Sequence, residues 1–274
     1  MRCAMKHYFI LIIVALTIFA MIGLSDAQMK PGKYTIVIHG GAGTISESMP
    51  DSIKHGYYFS LKKALQIGKD VLSNGGTSLD AVEKVLRYFE EDPKFNAGIG
   101  AVYTSAGTHE LDASIMDGRD LSCGAVAGVE HIAHPISLAR LVMEKTPHVL
   151  LAYGGAEEFA RKMGIKLVPN NYFDTPERKK QLEEYLKQVK EENHGTCGCV
   201  AFDEYGNFAA GTSTGGMTGK LPGRIGDSPL IGDGTYADDK TCAVSGTGWG
   251  EKFIKHAVAF NISALIAYKG LSLK

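Results

Sequence analysis

The chain has 274 residues, of which 45% are hydrophobic and 22% charged: enough apolar material for a large core, and a composition that excludes general disorder. Its 29 Lys and Arg balance 30 Asp and Glu for a formal net charge of −1, which lacks the basic surplus of a nucleic-acid binder. Glycine is the outlier, with 33 residues and no collagen period, which points to many tight turns and close backbone approaches.

Arg2 and Lys6 precede an uncharged run from Tyr8 to Leu24, followed by Ser25, Asp26 and Ala27. This is the order of a cleavable secretory signal over residues 1–27, and the run is short of the roughly 20 residues that span a bilayer. The expectation is an exported protein, periplasmic or secreted, with an uncleaved anchor as the alternative. No later segment is apolar enough to cross a membrane.

The β-branched Tyr34–Ile38 predicts a strand, leading into the glycine turn His39-Gly40-Gly41-Ala42-Gly43. Lys54–Leu72 has helical spacing closed by Asn74-Gly75-Gly76, and Thr77–Glu91 predicts a second helix capped by Thr77 or Ser78. A loop at Phe95-Asn96-Ala97-Gly98-Ile99-Gly100 precedes a strand at Ala101–Thr104. Further strands are expected at Glu110–Met116 and Cys123–Glu130, and helices at Ile136–Glu144 and Ala156–Met163. Thr175–Asn193 carries five acidic and five basic residues and reads as a solvated helix or a linker. Cys197–Asp203 and Phe208–Thr212 flank a turn at 204–207, the pattern of a hairpin. A glycine-rich loop fills 215–234, a short strand is expected at Ala243–Val244, and Glu251–Tyr268 predicts a last helix. Strands at both ends with helices between suggest an α+β layered fold. Cys123, Cys197, Cys199 and Cys242 read as small buried residues, since neighbours two apart on a strand cannot easily bridge.

Two chemistries compete. Gly211-Thr212-Ser213-Thr214-Gly215 matches the serine elbow G-x-S-x-G, with Asp227 and His256 following in triad order. The elbow needs a helix after it, and the glycines and prolines that follow here forbid one. The second chemistry starts at His194-Gly195-Thr196. A threonine opening a strand becomes an effective nucleophile when chain cleavage frees its own α-amine to serve as base. Gly195, lacking a Cβ, leaves its carbonyl approachable.

The stretches HGGAG at 39–43, FNAGIGAVYT at 95–104, ELDASIMDG at 110–118, HPISLAR at 134–140, HGT at 194–196, TSTGGMTGKLPGRIGDSPLIGDGTYAD at 212–238 and SGTGWGEKFI at 245–254 resemble the plant-type asparaginase and isoaspartyl peptidase family of N-terminal-nucleophile hydrolases. The resemblance implies a four-layer αββα sandwich made as one chain and cut before Thr196. The parts would be 28–195, with 175–193 as the charged linker, and 196–274. It implies Thr196 as nucleophile, with Gly195 and Thr196 flanking the autocleavage bond, and Thr214 as its hydrogen-bond partner. Arg224 and Asp227 would hold the substrate α-carboxylate and α-ammonium, and Thr247 and Gly248 would form the oxyanion hole. The substrate would be L-asparagine or a β-aspartyl dipeptide. The loop near Phe95 and Asn96 resembles one that holds a structural sodium ion through carbonyls; no other cofactor and no side-chain metal site is implied. His131 and His134 are expected to be structural or exposed. A dimer of cleaved units is implied. Gly195, where a sister branch acting on glycosylated asparagine has aspartate, favours the peptidase branch; a catalytically dead binding homologue is the other alternative. Family members continue beyond a segment matching Gly270–Leu273, so the chain reads as truncated and short of its last strands.

Overall fold

The computed structural model describes residues 34–42, 49–187 and 195–273; the leader-like residues 1–27, Gly43, the end of the charged linker and His194 lie outside them. The elements are β1 (Thr35–His39), α1 (Asp51–Ser73), α2 (Ser78–Glu91), β2 (Leu111–Asp117), β3 (Cys123–Val129), α3 (Pro135–Lys145), β4 (Leu150–Ala152), α4 (Tyr153–Lys162), α5 (Pro176–Leu186), β5 (Cys197–Phe202), β6 (Phe208–Thr214), β7 (Thr235–Ala237), β8 (Ala243–Ser245), α6 (Gly250–His256) and α7 (Val258–Lys269).

The class is α+β. A six-stranded sheet runs β1-β5-β6-β2-β3-β4, antiparallel except for the β3–β4 pair. Early and late strands interleave in it: β5 and β6 sit between β1 and β2. Strand alternation then sorts the side chains. Ile36, Ile38, Ala113, Ile115, Val126, Cys197, Cys199, Ala201 and Ala209 join residues of α1, α2, α3 and α4 in the main core. The opposite side chains, Met116, Val200 and Ala210, pack with Tyr236, Ala237 and Ala243 of the separate β7–β8 pair. Helix α7 packs on that pair. Thr77 is the cap of α2, accepting the Asp80 N–H at 3.1 Å.

Several sequence expectations change. Ala101–Thr104 is not a strand and makes only an isolated bridge from Thr104 to Lys220. Its backbone groups are taken up locally instead: Val102 N–H donates to the Asn96 side chain at 2.9 Å, and the His109 ring lies 3.2 Å from Val102 O. The final helix is broken at Ala257, which turns left-handed at φ 45° between α6 and α7. The three-residue strands β4 and β7 carry too little alternation to read. All four described cysteines are free; Cys197, Cys199 and Cys242 are buried and Cys123 is partly so.

Candidate active site

Register brings the first pair together. Cys197 stands opposite Ser213 in the β5–β6 ladder, so the next pair outward is Thr196 with Thr214. Both lie on the side of the sheet away from the helices. The Thr196 hydroxyl donates to Thr214 Oγ1 at 3.1 Å. Thr214 donates onward to the Gly195 carbonyl oxygen at 2.9 Å and accepts the Gly216 N–H at 2.9 Å. A hydroxyl has one proton and two lone pairs, so Thr214 is saturated and its orientation fixed.

The Gly195 carbonyl has a second donor that sequence reasoning did not assign. Asn96 Nδ2 reaches Gly195 O at 2.5 Å and Gly216 O at 2.7 Å, while Asn96 Oδ1 accepts the Val102 N–H. Every polar atom of that amide is engaged, so its aim is set by the loop. Gly98 (φ +50°) and Gly100 (φ +94°) shape this loop, and a Cβ on Gly98 would run into the Glu90 backbone. Beneath it Phe89 and Phe95 pack edge to face at 4.7 Å.

Arg224 and Asp227 sit on the loop after β6. A Cβ built on Gly250 would meet Arg224 Nη2 and Asp227 Oδ1, each at 2.8 Å, so the two charges flank one point that a missing side chain leaves open. Arg224 Nε donates to Glu251 at 3.0 Å. Asp227 is buried, and its Oδ2 has no hydrogen-bond partner among the described residues. Burial pushes its pKa up to about 6. Thr247 Oγ1 is likewise buried without a partner among the described residues, and Gly248 follows at φ +142°. These are orphan groups of the kind a ligand satisfies.

A chain of hydroxyls underlies these segments. The His39 ring lies 3.2 Å from Ser245 Oγ, which meets Thr212 Oγ1 at 2.8 Å; Thr212 meets Thr235 Oγ1 at 2.5 Å, and Ser114 donates to Ser228 O at 2.6 Å. Its members stand within two residues of Thr214, Thr247 and Asp227, so it ties those strands to one another. Burial lowers the pKa of His39, with hydrogen bonding to the Thr196 and Ser245 backbones pulling the other way.

Other candidates fall away on geometry. Ser213 faces the helices and donates to the buried Glu90 at 2.7 Å, and His256 is exposed; no serine elbow forms. Burial pushes the thiols of Cys197 and Cys199 far above their ordinary range, which leaves no thiolate at neutral pH. His131 and His134 each stand beside carboxylates, a structural arrangement. His131 Nδ1 lies 3.0 Å from Glu157, and His134 stands 3.4 Å from Glu90 and 3.5 Å from Glu91. Among the described residues no group of three His, Cys, Asp or Glu could hold a metal ion.

The asparaginase family pattern matches residues 32–274. An isoaspartyl peptidase of Salmonella typhimurium is 49% identical over 254 residues, covering 88% of this chain and 81% of the relative. One of Escherichia coli is 48% identical over 257 residues, covering 88% and 79%. The human isoaspartyl peptidase/L-asparaginase is 47% identical over 227 residues, covering 80% and 72%. The family match and the names of these relatives define a hydrolase. The chain belongs to the asparaginase family. The expectation of export is corrected by the same relatives: isoaspartyl peptidases of these bacteria and mammals are not secreted proteins. Among the described residues no helix is long and apolar enough to cross a membrane.

Proposed function

We propose that this protein is an amidohydrolase that activates itself by cutting the Gly195–Thr196 bond and then hydrolyses the β-amide of L-asparagine or the β-peptide bond of isoaspartyl dipeptides. The observation that carries the reading is the Gly195 carbonyl. Two donors, Asn96 Nδ2 and Thr214 Oγ1, hold its oxygen, with the Thr196 hydroxyl in the same hydrogen-bonded group. Donors aimed at an oxygen where charge develops are the arrangement that stabilises a tetrahedral intermediate. Attack by Thr196 Oγ1 on the Gly195 carbon, transfer of the acyl group from nitrogen to oxygen, and hydrolysis of the ester would leave Thr196 with a free α-amine. That amine then serves as base for its own hydroxyl.

In turnover, Arg224 would hold the α-carboxylate and Asp227 the α-ammonium. A forked guanidinium suits a carboxylate, and the unpaired Asp227 Oδ2 suits an ammonium. Thr247 Oγ1 and the Gly248 N–H would receive the scissile oxygen. A β-aspartyl ester on Thr196 forms as ammonia or an amino acid leaves, and water completes the cycle. The names of the bacterial and human relatives support both substrate types. Helices α1–α4 pack on the six-stranded sheet, the β7–β8 pair packs on β6, and α7 packs on that pair; these contacts support a four-layer αββα sandwich. The carbonyls of Pro93 and Phe95 converge beside Gly100, where a Cβ would meet both, and this fits a backbone-held sodium ion in the 92–100 loop; the chemistry above does not pass through it.

The test is substrate choice. Purified protein should release ammonia from L-asparagine and amino acids from β-aspartyl dipeptides while leaving α-aspartyl dipeptides intact. Hydrolysis of the α-linked peptides at an equal rate, or of none of the three, contradicts the assignment.

A further inference from the structure

The sequence Leu221-Pro222-Gly223-Arg224 closes a tight turn. Arg224 N–H donates to Leu221 O at 3.0 Å, and Gly223 lies at φ +85°. Proline second and glycine third are what a type II turn requires. Gly223 is then gripped from two sides. Its N–H donates to the buried Glu110 carboxylate at 2.9 and 3.1 Å, and its carbonyl accepts the Tyr153 hydroxyl at 2.8 Å. Glu110 is itself anchored, since the buried Lys220 ammonium donates to its backbone carbonyl at 2.8 Å.

Tyr153 reaches this position at a backbone cost. It opens α4 directly after the edge strand β4 and lies in the left-handed region at φ 50°. A bulky residue there is an outlier, and such conformations persist where the surroundings over-determine them. The surroundings are specific. The tyrosine ring lies across Gly128 of β3, where a Cβ would meet ring atom Cδ1 at 2.6 Å. Gly128 N–H in turn donates to the buried Asp112 at 2.8 Å. A glycine that makes room for the ring and a strained backbone that aims it together deliver one hydroxyl to the peptide unit preceding Arg224.

We propose that Tyr153 is a positioning residue for substrate binding: its hydroxyl, opposed by Glu110, locks the Gly223 peptide and thereby holds the Arg224 guanidinium where the substrate α-carboxylate arrives. The proposal rests on the role given to Arg224 above. Because Tyr153 acts through Arg224, its effect falls on the part of the substrate that asparagine and β-aspartyl dipeptides share.

Tyr153→Phe keeps the ring over Gly128 and removes only the hydroxyl. KM should rise about three- to tenfold, the effect of one lost hydrogen bond, for asparagine and for a β-aspartyl dipeptide alike. The value of kcat should stay within about twofold and the melting temperature unchanged, as one surface-accessible hydroxyl predicts. Tyr153→Asn tolerates the left-handed backbone and removes the ring; its KM should rise at least as far while its melting temperature holds or increases. Three results overturn the proposal: KM unchanged in Tyr153→Phe, KM raised for the dipeptide alone, or kcat lowered at constant KM. Wild-type protein inactive on both substrates would instead sink the proposed function. An active wild type that Tyr153→Phe matches on both substrates sinks only the clamp.

Discussion

The two faces of the six-stranded sheet are built on opposite terms. On the helix side, alternate residues of β2, β3, β5 and β6 are small or apolar and pack against α1–α4 in one continuous cluster. Its conspicuous polar intruder, Glu90, is answered at one oxygen: Oε1 accepts the Ile136 N–H at 2.9 Å and the Ser213 hydroxyl at 2.7 Å, while Oε2 has no hydrogen-bond partner among the described residues and stands 3.4 Å from His134 Nδ1. On the other side β6 presents Thr212 and Thr214, Thr196 immediately precedes β5, and buried atoms of Asp227 and Thr247 in the adjoining loops have no hydrogen-bond partner among the described residues. One face spends its residues on stability. The other holds polar groups that cost stability until a ligand meets them.

That contrast can be broken by crossing the two readouts. Leu138 of α3 is fully buried on the helix side. Leu138→Ala should cost about 2–5 kcal/mol in urea unfolding, while the rate per folded molecule stays near wild type. Asn96→Ala removes one of the two donors on the Gly195 carbonyl. Self-cleavage followed on denaturing gels should slow by about 10²–10³-fold with the melting temperature little changed. If the helix-side variant loses rate and the Asn96 variant loses none, the division of labour is wrong.

A smaller effect sharpens the comparison. Asp227→Asn should lower kcat/KM on asparagine by about ten- to a hundredfold, as loss of one charge-assisted contact implies. Its stability at neutral pH should be equal to wild type or higher. The sign follows from the raised pKa of about 6. The native carboxyl keeps its proton to higher pH than the unfolded chain does, so its contribution to stability declines as pH rises toward 6 and is not recovered above it. The smallest effect is the pH limb itself. Wild-type kcat/KM should fall as pH drops through about 6, because a protonated Asp227 cannot hold an ammonium. A rate flat from pH 5 to pH 7 in stable enzyme removes Asp227 from substrate binding.

The legible parts of the molecule were those with strong local signals. The spacing of α1, α2 and α3 and the hairpin of β5 and β6 are read from periodicity and turn residues, and the Gly195-Thr196 pair and the family motifs named most of the candidate site. What escaped is long-range. Asn96 looks like any loop amide until the chain brings it to Gly195, 99 positions away. The one available clue was its place between Phe95 and two shaping glycines. Tyr153 gives no sign in sequence of a left-handed backbone, and Ala257 gives none of a helix break; both conformations are imposed by packing. Glu90 meets Ser213 only through the fold, and so the serine of the apparent elbow turned out to face the wrong side.

In the proposed function the Gly195–Thr196 bond is held ready to cut itself. Intact-mass measurement of purified wild-type and Thr196→Ala protein, sampled over days at neutral pH, tests it most directly. Wild type should resolve into two pieces, the second beginning at Thr196 with a free amine, and hydrolysis of asparagine should appear in step with the cut. Thr196→Ala should remain one inactive chain. A wild type that stays whole yet hydrolyses asparagine at full rate, or a Thr196→Ala chain cut at the same bond, would contradict it.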